Sequence, residues 1–167
     1  MRKKALLIAI SIMLILSCGS RSAAGDYVIP DEVQAAADKY AEEYGISSEI
    51  LVATMRYESC FIPTVENGNC KGLMQVNVKV HKERIERLGI TDIYDVDSNV
   101  HAGADLIAEL YEEYGDYGIV LGLYHGEKYA IRNGREGIYS SYTQKVLKKA
   151  AELEEQKGTD GTEKGSM

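Results

Sequence analysis

The sequence has no tryptophan, a single phenylalanine and only two prolines in 167 residues. Two prolines exclude a proline-rich linker or recognition tract. Three cysteines are too few for a small scaffold stapled by several disulfides. Long apolar runs are also missing. The longest, Ala5 to Leu16, is interrupted by Ser11 and falls short of the ~20 residues that a membrane-spanning helix needs. Positive charge is in deficit, with 19 Lys and Arg against 26 Asp and Glu and a net charge of −7. Such a chain has no general phosphate-neutralising surface, so nucleic acid is not an expected partner. What is abundant is tyrosine, 12 of them. Its apolar face and polar tip suit sugar or protein contacts as well as the edge of a core. At 45% hydrophobic and 27% charged, the composition is that of one globular domain long enough to bury a core.

The N-terminus carries an export pattern. Arg2, Lys3 and Lys4 precede the short apolar run, as in a secretory signal peptide. Two cleavage readings stay open. Ile15-Leu16-Ser17-Cys18 resembles a bacterial lipobox, in which Cys18 would be lipidated and would tether the protein to a membrane. Ser22-Ala23-Ala24 is the alternative small-x-small site, with cleavage before Gly25. Either one places the domain outside the cytoplasm, on the outer face of the membrane or in the periplasm or wall. The expected organisation is a signal over 1–17, a tether over 18–29, a domain over 30–157 and a disordered tail over 158–167.

With Cys18 assigned to lipid, Cys60 and Cys70 remain. In an exported protein they suggest a disulfide, which would stabilise by about 3 kcal/mol on the chain-entropy model. A metal site with His81 or His101 is the rival, but the spacing is poor for it. Two unjoined thiols are the third possibility.

Periodicity and punctuation predict a mainly helical domain with at most a small β element. Helices are expected over 31–44 (ended by Gly45), from Ser47 or Ser48 to Ser59, over 80–88, from a cap at Asp97 or Ser98 to Tyr114, and over 139–157. The second is apolar on most sides and reads as central and buried. Glu58 lies at the end of its Leu51–Met55 row. Residues 60–77 read as irregular, with a strand or hairpin near 73–78. Residues 117–124 form a short apolar segment, and 126–138 read as a glycine-rich loop. Gly103 inside a helix costs about 1 kcal/mol relative to Ala, which suggests a close approach to a neighbouring helix.

Several motifs fall in one order: Glu58-Ser59-x-Phe61-x-Pro63, then Gly72-Leu73-Met74-Gln75, Asn99-Val100 with Gly103, Leu123-Tyr124-His125, and Tyr142 before Val146-Leu147. The ordered set resembles the catalytic domain of lytic transglycosylases, the SLT family of the lysozyme superfamily, over about residues 46–150. The resemblance implies a lysozyme-like helical fold with a groove for peptidoglycan glycan strands. It implies cleavage of the MurNAc–GlcNAc β-1,4 bond to give a 1,6-anhydromuramoyl end, with no metal or organic cofactor. By position, Glu58 matches the single catalytic acid/base, and Ser59 the residue beside it that orients site or substrate. Met74 and Gln75 match groove residues that touch the N-acetyl sugar. Tyr124 and Tyr142 match the tyrosines near the acid. His125 stands where the family usually has Asn, exchanging an amide for a titratable ring.

The chemistry agrees with these residue types. A glycosidic oxygen leaves only when protonated, and a buried carboxyl keeps its proton near neutral pH. Most glycosidases need a second carboxylate, and no motif supplies one. Asp92, Asp95 and Asp97 read as cap and turn residues, and Glu127, near Tyr124, is the one acid that stands as a candidate for that role. The competing expectations are a hydrolytic muramidase of the same fold and a peptidoglycan-binding lipoprotein without activity.

Overall fold

The structure, a computed structural model, describes residues 28–163, with side chains described as far as residue 158. The expected signal, Cys18 and most of the tether lie outside the described residues. Among those described, no helix is long and apolar enough to cross a membrane.

Seven helices and a small sheet are described: α1 (Asp31–Tyr44), α2 (Ser48–Ser59), α3 (Lys82–Arg87), α4 (Val96–Tyr114), α5 (Tyr117–Tyr124), α6 (Ala130–Arg135) and α7 (Ser141–Glu163). Strands β1 (Glu66–Asn67), β2 (Cys70–Lys71) and β3 (Val76–Asn77) pair antiparallel in the order β1-β2-β3. The mainly α class expected from the sequence is the one observed.

Helix α2 is the axis of the domain. Ser47 caps it, its hydroxyl accepting from the Ile50 amide at 3.1 Å, which satisfies one of the donors a helix start leaves open. Residues 50 to 55 are all buried, so α1 packs on one side of α2 and α7 on another. The main core joins α1, α2, α4 and α5 around Leu51, Met55, Val100 and Ile107. A second cluster sets Ile50, Ala53 and Leu121 against Tyr142 and Val146 of α7. Burying a Leu or Val side chain is worth about 1.5–3 kcal/mol, so α2 is held mainly by packing.

Four expectations need correction. Helix α4 begins at Val96 and is capped by Asp95, which accepts from the Ser98 amide at 2.9 Å. Asp97 instead pairs with Lys39 and accepts from the Tyr40 hydroxyl of α1. The stretch read as a loop over 126–138 contains α6. Its Gly134 lies against Ile119, where a Cβ would come within 2.3 Å of a side-chain carbon. Helix α7 is described to Glu163, beyond its expected end at Lys157.

The fourth is Gly103, whose neighbour is the loop residue Met74 and not another helix. A Cβ on Gly103 would lie 2.7–2.8 Å from three Met74 carbons. Met74 is fully buried and has nowhere to retreat. The overpacking cost of about 1–3 kcal/mol outweighs the gain in helix propensity. Gly103→Ala is therefore expected to lower the denaturation midpoint, and a raised midpoint would reject this contact.

Candidate active site

The site forms where α2 stops. Glu58 lies in its last turn, and Cys60 and Phe61, which follow Ser59, both have left-handed backbone (φ 53° and 64°). That conformation is uncommon away from glycine. It turns the chain sharply after the acid, and the Ile62 amide donates back to the Ser59 carbonyl at 3.0 Å.

Glu58 is the most perturbed carboxyl described. Burial pushes its pKa up to about 7, against an opposing hydrogen bond from Tyr142. The Tyr142 hydroxyl donates to Glu58 Oε1 at 2.5 Å. Burial, reinforced by the Glu58 charge, holds the pKa of Tyr142 and of Tyr124 well above that of a free phenol. Both therefore remain donors across the range in which Glu58 titrates. Among the described residues, no other carboxylate perturbs Glu58.

The loop over residues 72–75 is fixed from two sides. The Tyr124 hydroxyl donates to the Met74 carbonyl at 2.6 Å. Asn99, fully buried in α4, accepts from the Met74 amide at 2.7 Å and donates to the carbonyls of Lys71 (3.0 Å) and Ile93 (2.7 Å). Gly72 is required beside it: its φ is +76°, and a Cβ there would lie 2.2 Å from the Asn99 amide nitrogen. Gln75 also has left-handed backbone (φ 47°), and its amide nitrogen donates to the carbonyls of Val65 (3.1 Å) and Gly72 (2.9 Å).

The expected site residues thus take different places. Glu58 and Tyr142 are in contact, and His125 stacks on Tyr142 with ring centroids 4.0 Å apart and planes at 12°. Tyr124 reaches the same loop that holds Gln75. The Met74 side chain lies in the core, so its backbone meets the site-forming residues. The Ser59 hydroxyl is buried and donates to the Met55 carbonyl at 3.1 Å within α2. The disulfide suggested for Cys60 and Cys70 is not formed in the structure. Cys60 Sγ instead accepts from the Arg56 guanidinium at 3.1 Å, and Cys70 is buried in β2. No group of three or more metal-ligating side chains occurs among the described residues.

Sequence reading gave no role to Asn99 and no partner to Glu127. Asn99 was visible only as part of an ordered motif. Glu127 accepts from the Ser140 hydroxyl, and from Thr143 at 3.5 Å, contacts that join segments distant in sequence.

The arrangement provides a carboxyl that titrates near neutrality, a phenol hydrogen-bonded to it, and a loop pinned by Tyr124 and Asn99. Comparison with known proteins agrees. The family model described as the transglycosylase SLT domain matches residues 35–147. The chain is 31% identical over 107 residues to the Transglycosylase of Enterobacteria phage PRD1, covering 64% of this chain and 38% of that protein. It is 30% identical over 80 residues to the Membrane-bound lytic murein transglycosylase F of Desulfosudis oleivorans, covering 47% of this chain and 17% of that protein. The chain therefore spans well under half the length of either relative. With more than half of its residues matched by that one family model, and the acid, tyrosine and loop in one site, the chain belongs to the SLT family of transglycosylase domains.

Proposed function

We propose that the protein is an exported peptidoglycan lytic transglycosylase in which Glu58 alone serves as acid and then base. The observation that carries this is a buried carboxyl that no other described carboxylate perturbs, with its pKa pushed up to about 7 and a phenol hydrogen-bonded to it. Glu58 protonates the glycosidic oxygen between MurNAc and GlcNAc as the C1–O bond breaks. The N-acetyl oxygen of the muramoyl sugar stabilises the charge at C1, which removes the need for a second carboxylate. Glu58, now ionised, takes the proton from the C6 hydroxyl as its oxygen bonds to C1. The product is the 1,6-anhydro ring, and the acid is regenerated. Intramolecular attack gains from high effective concentration. With its nitrogen committed to two carbonyls, Gln75 has an acceptor oxygen to offer the acetamide N–H. The export pattern before residue 25 supports a location in the cell envelope, and the lipobox supports a lipid anchor at Cys18.

The pH profile tests the role of the acid. Glu58 must begin protonated, so kcat/KM should fall as pH rises through about 7. The Tyr142 hydrogen bond favours the charged carboxylate, so Tyr142→Phe should move this alkaline midpoint upward. A midpoint that stays put, or moves down, contradicts the assignment.

A further inference from the structure

We propose that His125, clamped by Glu127, is a positioning residue that holds the Tyr142 hydroxyl on Glu58. The inference rests on Glu58 being the acid. Tyr142 donates to it at 2.5 Å, a contact that a small shift of the phenol ring would break. Here the His125 ring lies flat on it, 4.0 Å between centroids, an arrangement favoured by offset stacking.

His125 is itself held. Its Nδ1 lies 3.6 Å from Glu127 Oε1. The same oxygen accepts from the Ser140 hydroxyl. Ser140 Oγ in turn accepts from the Thr143 amide at 3.2 Å, closing the first turn of α7, which carries Tyr142. Glu127 thus ties the turn after α5 to the turn bearing the phenol, and His125 fills the space between. The titratable groups facing Tyr142 include Glu58 from α2, Tyr124 from α5, Glu127 and the stacked His125; Glu127 also acts on His125. An Asn at position 125, as in the resembling family, has no ring to stack, so this chain seats the phenol by another device.

The test uses the full chain, with the Glu58 carboxyl followed by carbon NMR and cleavage followed in parallel. His125→Ala should raise the Glu58 midpoint, as Tyr142→Phe does, and lower kcat roughly ten- to a hundredfold with little change in KM. Added to Tyr142→Phe, it should cost little more, because both act through one hydroxyl. His125→Phe, which keeps a flat ring, should restore both readouts towards wild type, and Glu127→Ala should shift the midpoint upward as well. Should His125→Ala not fold, His125→Leu keeps bulk without a flat ring and carries the same expectations. An unchanged Glu58 midpoint, or effects that multiply in the double variant, would overturn the proposal. A wild-type protein that cleaves nothing would instead overturn the proposed activity, while the NMR titration still decides the positioning role.

Discussion

Glu58→Gln should fold, bind glycan and lose activity by about 10²- to 10⁴-fold, the usual share of general acid–base catalysis. That loss corresponds to roughly 3–6 kcal/mol in barrier. Glutamine keeps the shape and can still accept from Tyr142, so the loss isolates the transferable proton. The same variant should be more stable than wild type at neutral and alkaline pH. In the folded protein Glu58 titrates near 7, against 4.5 for a free carboxyl. Between those values the folded state keeps a proton that the unfolded chain has released, so stability falls as pH rises through that window. The difference approaches about 3 kcal/mol above pH 7 and vanishes below 4.5. Denaturant titrations at pH 4 and pH 8 check it. Glu58→Gln should match wild type at the first and exceed it at the second. Equal stability at both would mean that the carboxyl is not strained by burial, and retention of more than about a tenth of wild-type activity would remove it as the acid.

Asn99→Ala should be the most damaging substitution away from the acid. It removes one acceptor and two donor contacts from the Met74 amide and the Lys71 and Ile93 carbonyls. Each buried polar group left without a partner costs about 1–3 kcal/mol, so with three of them the loss should be roughly 3–9 kcal/mol, a large part of the stability of a typical domain. Activity should fall with it, since the loop bearing Gln75 loses its seat on α4. Equilibrium denaturation measures the first effect. A loss below about 1 kcal/mol would show that water or another group replaces the amide.

Much of this was legible in the sequence because local chemistry dominates there. Gly45 and Gly115 end α1 and α4 in the left-handed conformation, as their positions after periodic apolar stretches indicate. The buried character of α2 follows from its apolar residues, and the acid at its end follows from that. What failed was set by partners far along the chain. Asp97 looks like a helix cap until Lys39 and Tyr40 claim it. Gly134 reads as a loop breaker, yet it serves close packing against Ile119. Met74 stands in a groove motif, and only the approach of Gly103 reveals that its side chain is core. The Glu127–Ser140 contact closes a segment that contains α6, whose path no local pattern specifies.

The most direct measurement is mass spectrometry of the fragments that the full chain releases from purified sacculi, beside a Glu58→Gln control. Anhydromuramoyl ends that vanish in the control are the result expected of a lone acid that recycles through the C6 hydroxyl. Reducing muramic acid ends would contradict it, because they require water as the nucleophile and a group to activate that water.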